Sequence, residues 1–124
     1  MRLVSFSIIS LFILLISCSS EDDKIDYNPV YSSPIAAFSY TGNEGPAPVT
    51  VHFTNHSETF NPDSATYLWT FGEHGPQSTD KDPVQTFYNN TSTAESVLIK
   101  LTVNDLMTEK SQTKSLVIMI QPAE

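Results

Sequence analysis

The chain has a single cysteine, Cys18, in 124 residues. No disulfide can form within the fold, so a small domain must be held by its core alone. Basic residues are scarce, with six Lys and Arg against 14 Asp and Glu and a formal charge of −8. There is no basic stripe to neutralise phosphates, which excludes nucleic acid as a partner. Glycine is rare too, at four residues. The patterns G-x-S-x-G and H-E-x-x-H do not occur. Long apolar runs are limited to residues 3–17, an uncharged and mostly apolar stretch shorter than the roughly 20 residues that a bilayer-spanning helix needs.

That run follows Met1-Arg2 and ends Leu15-Ile16-Ser17-Cys18. A positive start and an apolar middle make residues 1–17 a secretory signal. Its end resembles the bacterial lipobox. The resemblance implies a diacylglycerol on the Cys18 sulfur, cleavage after Ser17 and acylation of the new amino terminus. Two or more acyl chains hold a protein stably on a membrane, at about 0.8 kcal/mol per buried methylene. Cys18 is then spent and leaves no thiol nucleophile. Behind it stand Ser20, Glu21, Asp22 and Asp23. A solvated spacer is one reading of this acidic run. The other is its resemblance to the export signal of surface lipoproteins in the Bacteroidetes lineage, which implies an outer-membrane, cell-surface location. Losing Arg2 with the signal leaves five bases against 14 acids, a formal charge of −9.

Residues 18–33 then form a lipidated, acidic tether, and residues 34–121 form one domain. From residue 34 the apolar pattern has period two. Strands are expected at 35–40, 49–55, 66–72, 84–88, 96–104 and 112–120. Polar stretches rich in Gly, Pro, Asn and Asp separate them. No segment carries a helical stripe. The expected fold is all-β, an antiparallel sandwich in which each sheet buries one face. Its core is drawn from Phe38, Val51, Phe53, Trp69, Phe71, Leu101 and Val103, with Trp69 at the centre.

Particular residues sharpen this. Ala36-x-Phe38, Pro48-Val49-x-Val51-x-Phe53-x-Asn55-x-Ser57, Tyr67-x-Trp69-x-Phe71-Gly72 and Leu101-x-Val103-x-Asp105 together resemble a PKD domain. The resemblance spans about residues 34–120 and implies an immunoglobulin-like β-sandwich of about seven antiparallel strands. It departs at the Trp-x-Phe-Gly turn. Where the family usually has Trp-Asp-Phe-Gly-Asp-Gly, this chain has Trp69-Thr70-Phe71-Gly72-Glu73-His74-Gly75. A different hairpin tip is expected there.

Sites of chemistry are few. His52 and His56 lie about 13 Å apart if both are on an extended strand, and His74 sits at a turn. Zinc needs three or four convergent ligands, so no metal site is assigned to them. Glu73, Asp80 and Asp82 fall well short of the six to eight oxygens that calcium takes and are assigned to solvent. Paired carboxylates for glycoside hydrolysis need a cleft, which so small a sandwich rarely forms. No catalytic residue and no cofactor is expected. Asp63-Ser64-Ala65 resembles a short Bacteroidetes O-glycosylation site, making Ser64 a possible acceptor. Tyr27, Tyr31, Phe60 and Tyr88 are aromatics in the tether or near loops. Such rings stack on sugars or anchor partners, but Phe60 and Tyr88 are expected to pack over the sandwich edge.

The expectation is a non-catalytic envelope lipoprotein that binds a protein or carbohydrate at the cell surface through loops and one sheet face. The alternative is a structural spacer or subunit of a larger outer-membrane assembly with no ligand of its own.

Overall fold

The computed structural model describes residues 31–124. Seven strands run in chain order: β1 (Phe38–Thr41), β2 (Val49–Asn55), β3 (Ala65–Phe71), β4 (Gln77–Ser78), β5 (Val84–Phe87), β6 (Glu95–Asp105) and β7 (Lys110–Ile120). They form two antiparallel sheets, β1-β2-β5 and β4-β3-β6-β7. One 3-10 turn, Pro62–Ser64, precedes β3. Among the described residues there is no α-helix. The all-β, immunoglobulin-like expectation holds.

Alternation decides which face of each strand turns inward. Val49, Val51, Phe53 and Asn55 of β2 are buried, and Thr50, His52 and Thr54 are exposed. In the larger sheet, cross-strand partners share a face. Trp69 is opposite Leu101, Tyr67 opposite Val103, and Phe71 opposite Ile99. Ile99 in turn is opposite Leu116, and Val97 opposite Ile118. A slip of one residue would turn all of these to solvent, so burial pins the register.

Trp69 is fully buried and meets Phe53 and Phe38 of the other sheet at ring-centroid distances of 5.4 and 5.0 Å. Phe53 also meets Phe71 at 5.2 Å. Val51, Leu101 and Val103 are wholly buried, and Phe38 is half-buried against the same cluster. Removing an aromatic side chain of this size from water is worth roughly 4–6 kcal/mol, from about 150–250 Å² at about 25 cal/mol/Å². The indole Nε1–H cannot be left unpaired in such a place. It donates to the Asp80 carbonyl at 3.0 Å.

Three boundaries differ from the sequence-based expectation. The first strand begins at Phe38, not at residue 35, and Ile35 makes only an isolated bridge to Glu58. A two-residue strand, β4, lies inside the expected loop after β3 and pairs Ser78 with Trp69. Two residues are too few to display a period. β7 reaches back to Lys110, but Lys110, Gln112 and Lys114 on its inward side remain exposed. The small sheet, with β1 and β5 only four residues long, does not extend far enough to cover them.

The β3–β4 turn explains a glycine. A Cβ on Gly75 would lie 1.8 Å from the Phe71 carbonyl oxygen, so no side chain is tolerated there. Gly42 is constrained twice over, by φ +93° and by a Cβ position 2.5 Å from the Thr50 carbonyl oxygen.

Trp69→Ala should lower the unfolding free energy by about 3–5 kcal/mol. Urea titration followed by circular dichroism measures this, and a loss under about 1 kcal/mol would remove Trp69 from the centre of the fold.

Candidate functional site

The residues proposed for attachment and export, Cys18, Ser20, Glu21, Asp22 and Asp23, lie outside the described residues. So does Tyr27. The three histidines do not converge. His52 is exposed on β2, His56 Nε2 is 2.8 Å from Ser39 Oγ, and His74 is exposed in the β3–β4 turn. Among the described residues no three His, Cys, Asp or Glu side chains are grouped to hold a metal ion. The acids near the same end have structural partners. Asp82 accepts from the Asn55 backbone N–H at 2.8 Å, and Asp80 accepts from Ser78 Oγ at 3.2 Å.

The expectation that Phe60 and Tyr88 pack over the sandwich edge is not met. Tyr88 is 70% exposed and Phe60 is 49% exposed. Each sits just past an ordered segment whose own alternation ends, so neither has a facing sheet to cover it. Among the described residues, Phe60 has one aromatic neighbour, Tyr31, at 4.8 Å in an edge-to-face arrangement.

One carboxylate organises an end of the molecule. Asp105, the last residue of β6, is 1% exposed. Its Oδ1 accepts from Met107 N (2.9 Å), Thr108 N (3.3 Å) and Ser64 Oγ (3.2 Å). Its Oδ2 accepts from Phe60 N (3.1 Å) and Asn61 N (3.4 Å). The side chain thus ties the β6–β7 turn to the segment before β3. Ser64, the glycosylation candidate, has its hydroxyl donated into this knot and is half-buried. Burial pushes the Asp105 carboxyl up, but the N–H groups of Met107, Thr108 and Asn61 and the Ser64 hydroxyl outweigh it. The net effect holds its pKa below the ordinary 3.8.

A second feature is the outward face of the large sheet. Register places Leu98 beside Val117, and Ser96 beside Met119. Val117 is 56% exposed and Met119 46%. Toward the β6–β7 turn the same face becomes polar. There Thr102 Oγ1 and Thr113 Oγ1 are 2.8 Å apart, and Asn104 Nδ2 reaches Thr66 Oγ1 at 3.4 Å. Leu98 and Val117 also line a shallow depression of about 440 Å³ that continues over Gly72, Glu73 and Gly75. The stretch LVIMI signals this patch, because it is apolar at every position from 116 to 120. Inward alternation accounts for only three of those five residues, Leu116, Ile118 and Ile120.

Comparison with solved structures agrees with the fold. The chain is similar to the crystal structure of the PKD1 domain of Vibrio anguillarum Epp, with a TM-score of 0.58 and 21% sequence identity. The match covers 74% of this chain and 98% of that one. The domain therefore has a PKD-like fold. No family model matches the sequence, and no curated protein matches it.

Because the Asp105 pKa is lowered on folding, its contribution is complete above the unfolded value near 3.8 and is lost as pH falls through the folded value. Asp105→Asn should therefore lower the urea midpoint at pH 7, and the gap to the parent chain should narrow below about pH 4. A gap that stayed constant from pH 7 to pH 3 would deny the carboxylate this role.

Proposed function

We propose that this chain is a non-catalytic lipoprotein module, moored to the outer membrane through acylated Cys18 and displayed at the cell surface by Ser20, Glu21, Asp22 and Asp23. Its task is to hold a protein partner against the outward face of the large sheet. The observation that carries this reading is the aliphatic patch of exposed Val117 and Met119 and half-buried Leu98 beside a depression. Adjacent exposed apolar side chains on a sheet face mark interaction surfaces.

The chemistry of the patch favours protein over carbohydrate. Sugars are held by stacking on aromatic faces, and this sheet face is built from aliphatic, hydroxyl and amide groups together with the ammonium of Lys100. The aromatics of β3, Tyr67, Trp69 and Phe71, belong to its inward side, and of these Phe71 reaches the margin of the depression. An acidic chain with an aliphatic patch suits a partner whose own apolar groove has a basic rim. A PKD-like sandwich fits an accessory part in an envelope assembly.

Two measurements test this. Mass spectrometry of the amino-terminal peptide should find diacylglycerol on Cys18, and a free thiol there would refute the anchor. Crosslinking on intact cells followed by capture should recover one dominant envelope protein. Val117→Asp with Met119→Asp should reduce that recovery at least about tenfold while leaving the circular dichroism spectrum unchanged. Undiminished recovery, or glycan binding abolished by Tyr88→Ala, would move the site elsewhere.

A further inference from the structure

The end of the sandwich where the chain enters carries exposed apolar side chains among its polar ones. Phe60, Leu106 and Met107 are 49%, 63% and 54% exposed. They come from two separate segments, and both are clamped by Asp105, which accepts from the N–H groups of Phe60 and Met107. Asn61 Nδ2 reaches Met107 Sδ at 3.9 Å, and the Leu106 N–H donates to the Ser64 carbonyl at 3.1 Å. The cluster is therefore a fixed feature of the fold. Tyr31 stands edge-to-face on Phe60, and its carbonyl accepts from Lys110 Nζ at 2.6 Å. An aromatic pair, two aliphatic side chains and one lysine thus share one end of the domain.

From these placements we infer that this end is a second, non-covalent contact with the lipid bilayer, in which Leu106, Met107 and Phe60 enter the headgroup region. The inference rests on the proposed anchoring at Cys18. Thirteen residue steps separate Cys18 from Tyr31, which span at most roughly 45 Å. The end that carries Tyr31 thus stays within that distance of the membrane in any orientation of the domain. A tether turns insertion into an intramolecular event, so a small apolar tip suffices where free association would be too weak. Rings and aliphatic groups with a lysine beside them suit the membrane interface, where apolar bodies sink and the amine stays in water. Asp63 and Glu109 are exposed nearby and make a neutral lipid surface the preferred one.

The test separates this contact from the native anchor. Residues 18–124, which contain every described strand, would carry Cys18→Ser and an amino-terminal hexahistidine tag. The tag holds the protein on phosphatidylcholine vesicles containing a nickel-chelating lipid, whether or not native acylation occurs. An environment-sensitive fluorophore is placed at Met107→Cys or, at the opposite end, at Tyr88→Cys. On vesicles the label at 107 should shift to shorter wavelength and be quenched several-fold more strongly by lipid-borne quenchers than the label at 88. Leu106→Asn with Phe60→Asn should bring position 107 down to the level of position 88. Equal quenching at the two positions overturns the inference. So does a shift at 107 that appears without vesicles, which would mean a second copy covers the tip. A free thiol on Cys18 in the native protein refutes the anchor alone and leaves this measurement able to judge the tip.

Discussion

The fold depends on an aromatic contact between two sheets that nothing covalent joins. Phe53 and Phe38 come from the small sheet, and Trp69 and Phe71 from the large one. In a domain this small the core supplies most of the favourable free energy, so the position of Trp69 constrains its neighbours. The indole N–H must find an acceptor inside the protein, and it finds the Asp80 carbonyl. That fixes the connection between β4 and β5. Two residues on, Asp82 takes the Asn55 N–H, and the Pro83 carbonyl takes the Phe53 N–H. A hydrogen bond required by one buried ring thus stitches the two sheets together along one flank.

The two ends of the sandwich are closed differently. At the end where the chain enters, Asp105 gathers five donors from two loops. At the other end Asn89, which is 1% exposed, donates to the Ile120 and Thr93 carbonyls and accepts from Thr91 N and Oγ1. A neutral amide both donates and accepts, so it can bridge a strand end and a loop that offer opposite needs. A carboxylate only accepts, and it serves where several backbone N–H groups converge. Each polar side chain is buried because the local backbone presents the complementary groups.

Much of this was legible in the sequence. Val49, Val51 and Phe53 declare a half-buried strand by strict alternation, and so do Tyr67, Trp69 and Phe71. The two-sheet architecture follows from several such strands with no helical stripe. What escaped was of two kinds. β4 has two residues, and pairing that short leaves no periodic trace. Asn89, and Asp105 even though it closes the Leu101-x-Val103-x-Asp105 pattern, do not declare their burial, because it also depends on segments distant in the chain, with Phe60 lying 45 positions before Asp105 and Ile120 lying 31 after Asn89. The outward patch was hidden for a third reason. In β7, Val117 and Met119 alternate with Leu116, Ile118 and Ile120, and a reading that looks for one buried face stops when it has found that face. Phe60 and Tyr88 were misplaced by the opposite habit, which gives every large ring a covering surface.

The geometry of entry also decides what the module presents. Lys110 holds Tyr31, and Gln112 Oε1 accepts from the Ala36 N–H at 2.6 Å. The chain therefore arrives alongside the start of β7, on the flank where the small sheet stops short. Val117 and Met119 lie seven and nine residues further along the same strand, roughly 24–30 Å away at about 3.3 Å per residue. On the proposed anchoring, the bilayer holds one end of β7 and the aliphatic patch stands near the other, above the headgroups. A module that lay flat would bury the patch in lipid, and one that swung freely would present it to a partner only part of the time. An apolar tip at the entry end opposes both, because it favours the upright stance in which the patch is clear of the membrane. On that proposal the residues at the two ends would serve one arrangement: Leu106, Met107 and Phe60 would set the orientation in which Leu98, Val117 and Met119 can be reached.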